Sequence, residues 1–324
     1  MGNTDVLCVG NATIDVFVIL KNLQKFSYDK FSNQISFPLG EKIPLEEYKI
    51  TLGGNACNIS VGLSRLGLRT SLAAEVGSDE FSEKIISTLK KEGVDLSLIK
   101  QGQRQTPYFN IILSYGGDRT ILDERTPSEQ DIEVGEAKPK YFYLTGLNGD
   151  WKKVYENVFS ERTNCLFAFN PGTRQLTDNF GDILKFLPKI EILFVNLGEA
   201  QEIAQDQNPD IKVILKKLKN LGIKIAAVTD GINGSYAIDK DGGMFQIGAV
   251  SSERPIERTG AGDSYATGFL WAILNGHPVK EAMRYAALNA DCVIKKIGAQ
   301  DGLLTKNEIE QKSKENSSLT AVKI

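Results

Sequence analysis

Short β-rich apolar runs alternate with helix-like segments along most of this chain, and that alternation leaves few folds open. Strand–helix–strand units bury their strands on both faces, so a chain built from them forms a mainly parallel sheet covered by helices. Residues 5–9 (DVLCV) read as a buried strand and residues 15–20 (DVFVIL) as a second. Residues 53–66 take up helical spacing, with Ile59, Leu63 and Leu66 on one stripe and Gly67 placed to stop it. Further strands are expected at 71–76, 141–144, 165–169, 192–195 and 225–229, and β-like runs at 235–238 and 244–247. Helices are expected at 80–92, 262–275 and 279–295. The predicted fold is α/β, a doubly wound, mainly parallel sheet flanked by helices, with its body drawn from 1–16, 52–106 and 126–311.

Two segments break the pattern. Residues 21–50 are polar, carry Pro38 and Pro44, and hold only one short alternating piece, 34–37. Residues 108–122 read as a β-hairpin, because two β-rich runs flank Gly116-Gly117-Asp118. Both look like insertions projecting from the body, so 17–51 and 107–125 are predicted to form one small sheet. The polar residues 312–324 are expected to fray.

Composition narrows the function. Apolar residues make up 41% and charged residues 24% of 324 positions, which is ordinary globular usage. The net charge of −3 arises from 38 basic and 41 acidic residues mixed along the chain, so no basic stripe offers itself to nucleic acid. Cys8, Cys57, Cys165 and Cys292 lie far apart inside apolar runs, the pattern of buried reduced thiols rather than of a metal or redox motif. No apolar stretch approaches the ~18 residues of a membrane span. The start carries no basic leader, and Val6 stands where myristoylation needs Ser or Thr, so a cytoplasmic protein is expected.

The most informative stretch is Thr259-Gly260-Ala261-Gly262-Asp263-Ser264, which opens a helix with Phe269, Leu270 and Ile273 on its apolar face. Glycines let the backbone approach a ligand closely, and N–H groups at a helix start face an anion with the dipole behind them. Gly260, Ala261 and Gly262 therefore read as an anion hole. A carboxylate at its lip would repel a bare phosphate. It makes sense if a hydroxyl lies between them, losing its proton to Asp263 while attacking a phosphoryl group held in the hole. The competing reading is an ordinary cap, in which Asp263 only complements the dipole. A Gly-Lys-Ser or Gly-Lys-Thr phosphate loop is absent from the chain, and the third glycine falls too late, at 268, for a dinucleotide fingerprint.

Thr-Gly-Ala-Gly-Asp-Ser at the start of a late helix resembles the C-terminal signature of the ribokinase-like PfkB carbohydrate kinases. Far upstream, Gly53-Gly54-Asn55-Ala56-Cys57-Asn58 resembles that family's Gly-Gly motif, in which a helix start and an Asn one turn later hold the sugar. Gly54 and Asn58 would share a helix face. Gly10-Asn11-Ala12-Thr13-Ile14-Asp15 resembles the end of the family's first strand, where an acid grips sugar hydroxyls, so Asp15 and Asn11 join the acceptor residues. Asn196-Leu197-Gly198-Glu199 resembles the Asn-x-x-Glu motif tied to the triphosphate and hydrated magnesium, with a plain helix cap as the other reading. Thr229 to Gly234 resembles the stretch near the nucleotide, which brings in Thr229, Gly231 and Gly234. Asn170 to Arg174 only partly resembles a segment that supplies an Arg to the phosphates, and a surface role for Arg174 stays open.

The resemblance implies ATP-dependent phosphorylation of a sugar-like hydroxyl, with ATP and Mg2+ as cofactors and a β lid over the sugar formed by the two insertions. Lids of this kind often pair subunits, so a homodimer is implied as possible. A nucleoside kinase is the alternative, if Phe17, Phe37 or Tyr108 stacks a base rather than serving as lid core, and a non-catalytic sugar-binding or regulatory protein is a more distant one. Many members carry Asp where Glu257 stands, followed by Thr or Val where Arg258 stands, and that acid can help bind a monovalent cation such as K+; the departure puts cation activation in doubt. A helix terminus should keep the Asp263 pKa low.

Overall fold

A computed structural model describes residues 4–20, 26–102, 109–123, 132–147, 149–160, 165–178, 180–251 and 253–324. The main sheet runs Val322–Lys323, Met244–Ile247, Ser235–Ile238, Ile225–Thr229, Ile192–Asn196, Leu166–Asn170, Tyr141–Thr145, Val6–Val9, Thr70–Val76 and Ile99–Gln101. Neighbours are parallel from Ile225–Thr229 to Ile99–Gln101, and the three strands at the other edge are antiparallel. Strand alternation divides the interior in two. Val6 and Cys8 enter one core with the helices Asn55–Arg65, Ala261–Leu274 and Val279–Val293. Leu7 and Val9 enter the other, with Trp151–Ser160, Leu197–Ala204 and Ile211–Asn220.

Val6–Val9 pairs with Thr70–Val76 on one side and Tyr141–Thr145 on the other, so the strand order reverses there. Ligands of open α/β sheets bind beyond the carboxyl ends of the strands at such a reversal. Asn11, Gly146, Asn196 and Thr229 all lie at or just past those ends.

A second sheet stands apart: Glu47–Gly53, Thr13–Ile19, Phe109–Tyr115 and Asp118–Asp123, in that order, beside a two-stranded piece, Ser27–Asp29 with Gln34–Ser36. The strand expected at 15–20 thus starts at Thr13 and belongs wholly to this sheet, crossing the boundary set after residue 16. Glu47–Gly53 was not foreseen as a strand, although Tyr48, Ile50 and Leu52 alternate with polar neighbours. Gly116 and Gly117 make the hairpin turn, both at positive φ.

The end of the chain does not hang free as the polar composition of 312–324 suggested. Lys306–Glu315 is a helix with a Thr305/Glu308 capping box, Ala321 is buried, and Val322–Lys323 extends the main sheet against Met244–Ile247. An unpaired sheet edge is available there, and backbone pairing needs no apolar sequence. No helix among the described residues is long and apolar enough to cross a membrane.

Candidate active site

Two packed helices bring the central side chains together. The helix Ala261–Leu274 is buried on nearly every side from Asp263 to Ala272, and Asn55–Arg65 crosses it closely. The contact is tight because Gly62 has no side chain: a Cβ there would stand 2.7 Å from Thr267 Cγ2. One turn back from Gly62 is Asn58, and one turn back from Thr267 is Asp263. Asn58 Nδ2 donates to Asp263 Oδ2 at 2.8 Å, and Asn58 and Asp263 are both buried.

Gly260 sits at φ 80°, the left-handed region, directly before the helix, and a Cβ on it would lie 2.6 Å from that of Ala299. Ala261 N donates to Arg258 O at 3.2 Å, so this amide of the expected anion hole is already engaged in the turn. Among the described residues the amides of Gly260, Gly262 and Asp263 have no main-chain acceptor. Asp263 caps nothing with its side chain. Its carboxylate is instead held by an amide from another helix.

Burial decides the charge of this carboxylate. Loss of solvent pushes the Asp263 pKa up to about 6, the Asn58 hydrogen bond and Arg119 pull it down, and the nearby Asp15 charge pushes it up. The expectation of a low value is overturned, because desolvation of a buried carboxylate outweighs the partial charge of a helix end.

Asp15 stands across the same cleft, on the small sheet. Its Oδ1 accepts from Thr13 Oγ1 and from Asn110 Nδ2, each at 2.8 Å, while burial raises its pKa against those bonds. Asp15 and Asn110 are paired across adjacent strands, and Ile112, Arg119, Ile121 and Asp123 share their face. None of these last five was foreseen, because strand register brings them in and the sequence carries no motif for it.

The cleft has a volume of about 960 Å³. Of the residues expected at the site, Asn11, Asp15, Gly54, Asn58, Asn196, Glu199, Thr229 and Gly260 through Asp263 line it. Gly231, Gly234 and Glu257 do not. Gly234 is explained by packing, since a Cβ there would meet Ile247 O at 2.0 Å. Glu257 is buried with both oxygens accepting from Thr259, from N at 2.7 Å and Oγ1 at 2.9 Å. The Arg174 side chain lies outside the described residues. Asn196 and Glu199 form a reciprocal capping box, each side chain bonded to the other's main-chain N–H at 2.9 Å. Burial raises the Glu199 pKa.

The family of pfkB carbohydrate kinases matches residues 3–306. A 5-dehydro-2-deoxygluconokinase of Geobacillus thermodenitrificans is 27% identical over 305 residues, covering 87% of this chain and 89% of that protein. An uncharacterised sugar kinase of Archaeoglobus fulgidus is 30% identical over 253 residues, 75% of this chain and 98% of that one. Among solved structures, a nucleoside kinase of Methanocaldococcus jannaschii, described as an archaeal member of the ribokinase family, superposes with a TM-score of 0.78. It is 21% identical and covers 97% of this chain and 100% of its own. A buried carboxylate at the head of a core helix, set in a cleft at the strand-order reversal, agrees with a match over nearly the full length: the chain belongs to the pfkB family of carbohydrate kinases.

Proposed function

We propose that the protein transfers the γ-phosphoryl group of ATP to a hydroxyl of a sugar or sugar-like acceptor, with Asp263 as general base. The observation that carries this reading is the buried Asp263 carboxylate beside helix-start amides that lack main-chain acceptors. The acceptor oxygen attacks the γ-phosphorus, its proton passes to Asp263, and the bond from phosphorus to the β-phosphate oxygen breaks to leave ADP. Phosphoryl transfer through a loose transition state asks for proton removal late, so a carboxylate with a value near 6 is adequate. The amides of Gly260 and Gly262, with Ala261 in the same turn, hold the transferring group.

In this reading Asp15, Asn11, Gly54 and Asn58 orient the acceptor, with Asn110 steadying Asp15. Asn196, Glu199 and Thr229 face the triphosphate, and Gly231 and Arg174 stay candidates for contacts with it. Magnesium, when bound, neutralises phosphate charge. One Glu199 oxygen is taken up by the Asn196 amide, which suits contact with metal-bound water better than direct ligation, and magnesium keeps several waters. The Glu257 carboxylate is already satisfied by Thr259, so replacing sodium by potassium at constant ionic strength should change the rate little. A several-fold activation by potassium would overturn that.

The small sheet acts as a lid over the acceptor. Its other face carries a row, Ile50, Val16, Ile111 and Leu122, in register across all four strands, with Ile50 and Leu122 exposed. This row is the surface through which a homodimer would form, and sedimentation of the wild type against Leu122→Glu tests it. A nucleoside acceptor would call for an aromatic floor. Phe17 is fully buried, Phe37 packs on Phe26, neither lines the cleft, and Tyr108 lies outside the described residues. The protein is read as cytoplasmic. A coupled ADP-release assay against sugars, sugar acids, sugar phosphates and nucleosides tests the whole proposal; ADP release stimulated by none of them would sink it.

A further inference from the structure

The Asn58 amide has two ends of nearly equal shape, and only one of them can donate to Asp263. Its Nδ2 donates to Asp263 Oδ2 at 2.8 Å, and its Oδ1 accepts from Gln300 Nε2 at 3.0 Å. Turned over, the amide would set its oxygen against the carboxylate and its NH2 against the NH2 of Gln300. Both contacts would be lost in one motion. All three side chains are buried, so water makes up only part of the loss. They come from three separate parts of the chain, and no short motif joins them.

Gln300 is itself anchored from behind. Its main-chain oxygen accepts from Arg65 Nη1 at 2.7 Å, and Arg65 forms a two-pronged pair with Glu92. Its Nε2 also lies 3.4 Å from Cys57 Sγ. The preceding residue, Ala299, packs into the space left bare by Gly260. The same short segment therefore touches both the turn that holds the anion and the amide that holds the base.

We propose that Gln300 is a positioning residue: it fixes the orientation of the Asn58 amide and thereby keeps a hydrogen-bond donor on Asp263 Oδ2, leaving Oδ1 to take the acceptor proton. Among the described residues Asn58 supplies the only hydrogen bond to this carboxylate. The inference rests on Asp263 being the base. A donor on the ionised form favours it, so Gln300, acting through Asn58, lowers the pH at which the base becomes competent.

The groups that face Asp263 are Asp15 and Arg119 from the small sheet, Tyr143 from the strand beneath, and Cys57 from the helix of Asn58. Burial pushes the Cys57 thiol up to about 12 and the Tyr143 phenol well above its usual value, so neither changes charge in the acid range. Asp15 also carries a carboxyl that burial pushes up, which is why a double-variant cycle is needed.

The experiment is the pH dependence of kcat for wild type, Gln300→Met, Asn58→Ala and the double variant, with the best acceptor from the ADP-release panel. Gln300→Met keeps length and removes the donor. Its acid limb should move up by about one pH unit, the scale of a lost charge-assisted hydrogen bond, with the KM for ATP unchanged. Gln300→Met should add nothing in the Asn58→Ala background. If Gln300→Met does not fold, Gln300→Asn, one methylene short of Asn58, gives the same comparison. An acid limb that coincides with wild type, or a shift of full size that persists without Asn58, overturns the proposal. Failure of the underlying reading looks different: Asp263→Asn would then keep more than about a tenth of wild-type kcat, whatever Gln300 does.

Discussion

The two carboxylates of the site, Asp263 and Asp15, are both buried, yet they stand on regions of opposite character. Asp263 heads a helix enclosed by the core, with buried residues through Ala272 and the fully buried strand Val6–Val9 in the sheet beneath. Asp15 lies on a sheet whose outer strand, Asp118–Asp123, is exposed at every position. That sheet is tied to the body in part by exposed ion pairs, Arg258 with Asp118 at 3.0 Å and Lys49 with Asp301. Such pairs contribute ~0–1 kcal/mol each. The contrast suggests a division of labour: a rigid half that sets the reacting geometry, and a looser half that opens to admit the acceptor.

The largest effect is expected at Asp263. Asp263→Asn keeps size and leaves the neighbouring amides in place, so kcat should fall ~10²- to 10⁴-fold while nucleotide binding, measured by calorimetry, stays close to wild type. A cap would forecast only a small loss of stability, on the order of 1 kcal/mol or less, with turnover kept.

The same substitution should stabilise the fold. The Asp263 value in the folded protein, about 6, lies above its ordinary 3.8, so burial disfavours the ionised form. Its stability contribution is full below about pH 4 and is lost as the pH rises through about 6. Asp263→Asn, which cannot ionise, is therefore expected to be more stable than wild type above about pH 7, by up to about 3 kcal/mol. Near pH 4 the two should converge. Thermal unfolding across this range checks the sign, and a variant less stable at high pH than at low pH, relative to wild type, contradicts it.

Asp15 should behave otherwise. Asp15→Ala leaves Asn110 and Thr13 without their partner and, on the proposed reading, removes an acceptor contact, so the KM for the acceptor should rise about 10- to 100-fold with a smaller change in kcat. If kcat falls as far as in Asp263→Asn, the two halves do not divide the work. The smallest effect concerns motion. Adding acceptor with an inert ATP analogue should slow amide exchange in Asp118–Asp123 and Thr13–Ile19 by about tenfold, ~1.4 kcal/mol of local stability, and leave Val6–Val9 unchanged. Equal change in both regions would mean that the small sheet does not move independently.

Local patterns in the chain were enough for the parallel sheet, the head of the helix at Gly260, the hairpin turn at Gly116 and Gly117, and the candidate base. Each rests on residues near one another in sequence: apolar spacing, glycine at positive φ, a carboxylate following two glycines. The strand Glu47–Gly53 was legible in the same way, through Tyr48, Ile50 and Leu52, and was hidden only by the polar residues around it. Other features had no local signal. The pairing of Asp15 with Asn110 depends on the register of strands far apart in the chain, and Val322–Lys323 becomes a strand only because Met244–Ile247 offers it an edge. The Asp263 pKa reverses its expected direction for the same reason. A helix end is a local property, whereas burial and the partner that answers it are sums over every segment that packs nearby. Neighbouring residues put Asp263 at the head of its helix, whereas the packing of distant segments sets Asn58, held by Gln300, against it.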